Sequence, residues 1–331
     1  MRRREFMFAL VGAAAWPLAA RAQQPAKIRH IAIVAWSSAA NISATGSPDW
    51  QVFFGGLARA GYVEGQNLVV ERYFAEGRTD ILADLGREVV RAHPDLIFAI
   101  SGRLVVTFKA ATTTIPIIGL TADPIVGGIV TSLAHPSGNV TGVSLEAGPL
   151  WGKRLEVLKE TVPHLSKVGY LASADVWQSV FIAPIHEAFQ RAEVPLVGPP
   201  VAGPLSELEY RRTLRAMTQQ GVDGLVVSDQ PEHLANRELI TGLIREAKLP
   251  AIYPFRDFVI AGGLMAYAVD TSELFRQAAD QASRILGGAS PAELPFYLAT
   301  KFQLIVNLKT ASALGLQIPP PLLARADEVI E

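Results

Sequence analysis

The sequence has 331 residues, 50% of them apolar and 18% charged, with a formal net charge of −1. Such a chain is globular and long enough for two ordinary domains, and it carries neither the basic excess that attracts nucleic acid nor an acidic tail. It contains no cysteine, which excludes disulfides, thiolate nucleophiles, cysteine zinc sites and a lipid-bearing cysteine.

Residues 1–22 read as an export segment. Arg2, Arg3 and Arg4 precede an apolar stretch from Phe6 to Ala20, and Ala20-Arg21-Ala22 supplies an A-x-A cleavage site, the three-part layout of a cleavable signal peptide. The apolar stretch is short for a membrane span. Arg3-Arg4-Glu5-Phe6-Met7 is similar to the twin-arginine export motif, with Arg2 where that motif usually has Ser or Thr and Phe8 where it often has Lys; Sec export is the other route. The expected product is a soluble periplasmic protein without a lipid anchor.

From residue 28 onward, strand and helix patterns alternate. Strands are expected at 28–36, 67–74, 95–100, 115–120 and 139–145, with helical spacing at 49–62 and 81–93. The same order then restarts: helices at 151–163, 180–193, 205–221 and 233–249, and strands at 167–173, 222–229, 250–255 and 262–270. Runs this apolar, separated by helices, predict an α/β fold of two lobes, each a doubly wound parallel sheet covered on both faces, with an inter-lobe cleft. In such sheets ligands sit beyond the carboxyl ends of strands, against helix N-termini.

Few motifs carry catalytic chemistry. The six histidines (His30, His93, His135, His164, His186 and His233) form no metal-ligand pair and read as surface or turn residues. No G-x-S-x-G elbow, P-loop or G-x-G-x-x-G follows a strand. No cofactor, metal or catalytic residue is therefore expected. The strand ends instead collect small polar and aromatic residues: Trp36-Ser37, Ser101-Gly102-Arg103, Thr121 with Asp123-Pro124, Ser144, Ser173 with Trp177, Asp229, Phe255 and Tyr267. Arg103 suits either a ligand carboxylate or a structural one, because a cation at a helix N-terminus needs a nearby anion. Asp123 before Pro124 suits an N-cap as well as a ligand amine. Trp36, Trp177, Phe255 and Tyr267 suit either a planar ligand or core packing.

Five blocks, at 62–78, 115–144, 152–160, 249–270 and 300–331, closely resemble the ABC-transporter substrate-binding family that includes putative tryptophan- and tyrosine-uptake binding proteins. The resemblance implies a type I periplasmic binding protein fold, two lobes joined by a multi-strand hinge. It also implies that the chain crosses between lobes more than once. Lobe 1 is then expected at 28–146 plus about 271–299, and lobe 2 at 147–270 plus about 300–331, with the helix from Ser272 to Leu286 returning to lobe 1. The implied partners are an inner-membrane ABC permease and its ATPase. Ser101-Gly102-Arg103 stands where the family commonly has Ala-Gly-Thr, and Ser173-Ala174-Asp175-Val176-Trp177 where it is commonly rich in Asn and Pro.

These readings converge on a non-enzymatic solute-binding protein that takes up a small, carboxylate-bearing, aromatic ligand, an aromatic acid or aromatic amino acid. Arg103, Ser101 and the following helix N–H groups would hold the carboxylate. Trp36, Trp177, Phe255 and Tyr267 would enclose the ring, and Asp123 or Asp229 would take an amine or hydroxyl. Ser37, Gly102, Thr121, Pro124, Ser144 and Ser173 complete the expected lining. A periplasmic hydrolase-like enzyme or a ligand sensor using the same cleft is the alternative.

Overall fold

The computed structural model describes residues 27–37, 41–145, 150–203 and 205–331; the export segment lies outside them. In chain order the elements are β1 (Arg29–Ala35), α1 (Pro48–Arg59), β2 (Leu68–Phe74), α2 (Leu82–Arg91), β3 (Leu96–Ile100), α3 (Gly102–Ala111), β4 (Ile117–Thr121), β5 (Val140–Ser144), α4 (Leu150–Thr161), β6 (Val168–Leu171), α5 (Ala174–Trp177), α6 (Ile182–Arg191) and β7 (Leu196–Val197). They continue with α7 (Glu207–Gln219), β8 (Gly224–Val227), α8 (Pro231–Ala235), α9 (Arg237–Glu246), β9 (Ala251–Tyr253), α10 (Arg256–Ile260), β10 (Met265–Val269), α11 (Thr271–Leu286), β11 (Tyr297–Leu298), β12 (Phe302–Asn307), α12 (Leu308–Ala313), α13 (Pro320–Leu323) and β13 (Glu328–Ile330).

Two sheets result. The first has the order β11-β5-β4-β3-β1-β2 and the second β13-β12-β10-β9-β8-β6-β7. Their central strands are apolar on both faces, and consecutive residues alternate between two cores. Ile31, Ile33 and Ala35 of β1 enter one cluster while Ala32 and Val34 enter another. In lobe 2, Val226 faces one core and Leu225 and Val227 the other. Each fully buried aliphatic side chain of this kind contributes about 1.5–3 kcal/mol, so helices must cover both sheet faces. An aromatic cluster joins α1 to α11: Trp50 meets Phe275 edge to face at 4.9 Å, and Phe53 stacks on Phe98 at 5.0 Å.

The second sheet, parallel at its other pairings, takes in one antiparallel strand pair. β12 runs antiparallel to β10, with Tyr267 opposite Leu304, and β13 is parallel to β12. The cause is topological. After β10 the chain leaves for α11, which packs on α1, adds β11 beside β5, and re-enters lobe 2 from the hinge side. Asp270 marks the departure: its carboxylate accepts from Glu273 N at 3.2 Å to cap α11, and its N–H donates to the Lys301 carbonyl on the returning strand at 3.0 Å. Beside it Tyr267 stacks on Phe302 at 5.8 Å and touches the cores of both lobes. The chain thus passes between the lobes at Asp270 and again near Lys301.

The helix expected over 233–249 is also divided. Pro231 begins α8, and Asn236 breaks it from α9 with its backbone at φ −102° and ψ 20° while its side-chain amide donates to the Glu232 carbonyl at 2.8 Å. Proline in the first turn is tolerated because its missing N–H would have had no intrahelical acceptor.

β4 and β5 approach closely where Gly119 pairs with Gly142. A Cβ on Gly142 would lie 2.0 Å from the Gly119 carbonyl oxygen, and the Gln281 amide of α11 donates to the Gly142 carbonyl and to the Pro295 carbonyl at 3.0 Å each. Gly142→Ala is therefore expected to lower the unfolding free energy by about 2–4 kcal/mol in urea titration, since backbone must shift. Gly152→Ala in α4, where a Cβ meets nothing within 4 Å, is expected to raise it by about 0.5–1 kcal/mol.

Candidate functional site

The carboxyl ends of the two sheets face each other, and one side chain spans them. β3 ends at Ile100 and Ser101 caps α3, its hydroxyl accepting from Leu104 N at 3.3 Å. Arg103 follows in the first turn. Its Nη2 donates to Asp175 Oδ2 of α5 at 3.3 Å and its Nη1 to Glu232 Oε1 of α8 at 3.5 Å, while Cζ lies 5.4 Å from the Trp36 ring centroid. A lobe 1 cation thus rests on a lobe 1 indole and meets two lobe 2 carboxylates. The three partners differ in hydration: the side chain of Asp175 is 72% exposed, that of Arg103 39% and that of Glu232 17%. Burial pushes the Glu232 carboxyl upward, its own backbone N–H and then the charge of Arg103 oppose this, and Asp175 adds to it.

Trp36 is almost fully buried, and its indole Nε1 has no hydrogen-bond partner. Gly77, at φ +71°, donates its N–H to the Trp36 carbonyl, and a Cβ there would come to 4.0 Å from Nε1. Ser37 follows, half-buried. Gly102 opens α3, and a Cβ on it would meet Thr121 at an ordinary 3.8 Å, so packing within the protein does not demand glycine.

Three expected lining residues are turned to structural use within lobe 1. Thr121 and Ser144 both donate their hydroxyls to the Ala122 carbonyl, at 3.0 and 2.7 Å. Asp123 accepts from Ile125 N at 2.8 Å and Val126 N at 3.0 Å; it staples a turn rather than starting a helix, and the Pro124 carbonyl accepts from Ile129 N within that turn.

In lobe 2, Ser173 caps α5 and accepts from Gln230 Nε2 at 2.7 Å, while Gln230 Oε1 accepts from Ser173 N at 2.9 Å and from the Ser228 hydroxyl at 3.0 Å. Trp177 is half-buried, edge-on to Tyr170 and His186, and its Nε1 is buried without a hydrogen-bond partner. Asp229 has its carboxyl pushed upward by burial, opposed by the charge of Arg154. Arg154 is itself buried, donates through Nε to the Tyr267 carbonyl at 3.1 Å and lies over the Trp151 ring at 4.7 Å. Phe255 is 9% exposed in the lobe 2 core, and the Tyr267 ring lies against Phe302. Phe255 and Tyr267 therefore belong to packing and hinge, whereas Trp36 and Trp177 flank Arg103 and its partner Asp175.

Sequence reasoning passed over Glu232, Gln230 and Arg154. The signal for the first two was Pro231 a short loop beyond strand β8, which places Gln230 at the N-cap and Glu232 in the first helical turn. His233 corrects the reading of all six histidines as surface or turn residues. It is fully buried, its Nδ1 lies 3.0 Å from the Ser228 hydroxyl, and its ring meets Tyr210 edge-on at 5.6 Å. Burial pushes its pKa down to about 3. Its folded value lies below the unfolded one, so the unfolded chain takes up a proton first and stability falls as pH drops below about 6.5. Between pH 7 and 5 urea titration should register a loss of about 2 kcal/mol, and His233→Gln should flatten that slope.

Among the described residues no cluster of three or more His, Asp or Glu side chains is arranged for a metal, and no helix is long and apolar enough to cross a membrane. The sequence profile of the ABC transporter substrate binding protein family matches residues 49–330. The tyrosine-binding protein of Clostridioides difficile (strain R20291) is 26% identical over 268 residues, 80% of this chain and 76% of that protein. A conserved domain protein of Vibrio cholerae superposes with a TM-score of 0.82 at 24% identity, covering 92% of this chain and 100% of that one. An ABC domain from Streptococcus pneumoniae, solved in complex with L-Trp, gives 0.81 at 24% identity, covering 91% and 99%. The fold is the type I periplasmic binding protein fold, and with the profile spanning most of both lobes the chain belongs to the ABC transporter substrate binding protein family, whose members bind substrates rather than convert them.

Proposed function

We propose that this chain is the periplasmic receptor of an ABC importer and that it captures a small aromatic carboxylate, an aromatic amino acid or aromatic acid, between its lobes. The observation that carries the reading is Arg103, a cation seated on the Trp36 ring that reaches from lobe 1 to both α5 and α8 of lobe 2. A guanidinium offers a carboxylate two parallel N–H donors, and the Ser101-capped start of α3 adds favourable backbone dipoles. Trp36 and Trp177 supply planar apolar surface for a ring, each with a buried indole N–H that has no protein acceptor. The ligands of the relatives, tyrosine in one name and L-Trp in one complex, support the same chemistry. The arginine-led apolar segment at residues 1–22 supports export.

Binding works through the lobe arrangement. A ligand touching both lobes favours the closed state by its differential affinity for it, and a permease can then distinguish loaded from empty receptor. Calorimetric titration of L-tryptophan and L-tyrosine into the mature protein tests the site. Arg103→Ala should weaken binding about 10- to 150-fold, the loss of a charge-assisted hydrogen bond. Unchanged affinity would remove Arg103 from the ligand.

A further inference from the structure

Glu232 is largely withdrawn from water yet has few partners, its own backbone N–H and Arg103. Among the described residues its side chain meets one cation, Arg103 through Nη1 at a long 3.5 Å, and Arg103 also pairs with Asp175 through Nη2. The other cleft carboxylates named above are better placed. Asp175 is mostly hydrated, Asp123 accepts two backbone N–H groups, and Asp229 has the charge of buried Arg154. Tyr210 lies near enough for Glu232 to affect its hydroxyl, yet that hydroxyl makes no hydrogen bond. A buried anion with so little compensation is costly, and a second cation beside it removes the cost.

We infer that Glu232 is the specificity-determining carboxylate of the cleft and receives the ammonium group of the ligand, which makes the substrate class aromatic α-amino acids rather than aromatic acids. The inference rests on the preceding reading that Arg103 takes the ligand carboxylate. The two charges of an α-amino acid hang on one carbon, and the two protein charges that would meet them are already neighbours. A zwitterion placed beside them closes a ring of four alternating charges, with carboxylate on Arg103 and ammonium on Glu232. A ligand with a carboxylate alone adds a third anion beside Asp175 and Glu232 and leaves Glu232 as it was. Discrimination of this kind follows when the better ligand pairs a buried group that the poorer one leaves unpaired.

Calorimetry on the full mature protein with L-tryptophan and its deaminated analogue indolepropionate tests it. The wild type should prefer L-tryptophan by at least about tenfold, and Glu232→Gln should reduce that preference to within about threefold by weakening L-tryptophan. Glu232→Asp, which keeps the charge, should retain part of the preference. Equal wild-type affinity for the two compounds overturns the assignment, as does a Glu232→Gln variant with the wild-type preference. The wild-type comparison and the Asp variant decide the matter if the Gln variant does not fold. If the wild type binds neither compound, the aromatic-ligand reading itself fails, a result distinct from loss of discrimination.

Discussion

The arrangement depends on where the Arg103 guanidinium finds its counter-charges. A cation in the first turn of a helix faces the positive end of the helix dipole, and among the described residues of its own lobe only the Trp36 ring compensates it. Its anions, Asp175 and Glu232, belong to the other lobe. The pairing exists only when the lobes approach, so closure and charge compensation are one event. The contacts are long and partly hydrated, and such pairs contribute only about 0–1 kcal/mol. On the proposed reading, closure without ligand would be finely balanced, the condition under which a small ligand shifts the population most effectively.

The sheets make this meeting repeatable. Strands buried on both faces hold the ends of β1, β3, β6 and β8 in fixed register, so the loops that begin there start from rigid points. The hinge is equally definite. Tyr267 and Phe302 stack where strands leave and return, Asp270 ties α11 to the returning segment, and Arg154 anchors α4 to the β10 backbone. On the lobe 2 side Gln230 bridges the loop of Ser173 to that of Ser228, holding together the two short helices that carry Asp175 and Glu232.

Much of this was legible in the sequence because continuous apolar runs between helical patterns admit few architectures. The antiparallel β12 was not, since strand direction depends on where the chain re-enters, which periodicity does not encode. The two-residue strands β7 and β11 were too short to leave a pattern. In the site, Trp36, Ser101 and Arg103 could be found as polar or aromatic interruptions at strand ends. Thr121, Asp123 and Ser144 could be found the same way, yet their side chains serve local turns, because short polar side chains find backbone partners before they find ligands. Glu232 was passed over for the opposite reason. A glutamate in a first helical turn is ordinarily explained by the helix dipole, and only the fold reveals that it is buried opposite an arginine from the other lobe.

The central claim is that the cleft holds an aromatic molecule bearing a carboxylate. Denaturing the protein purified from its native host and identifying the released small molecule by mass spectrometry tests this most directly. An aromatic amino acid or aromatic acid in near-stoichiometric amount is the predicted result. A sugar, a polyamine or another ligand with neither an aromatic ring nor a carboxylate would contradict it.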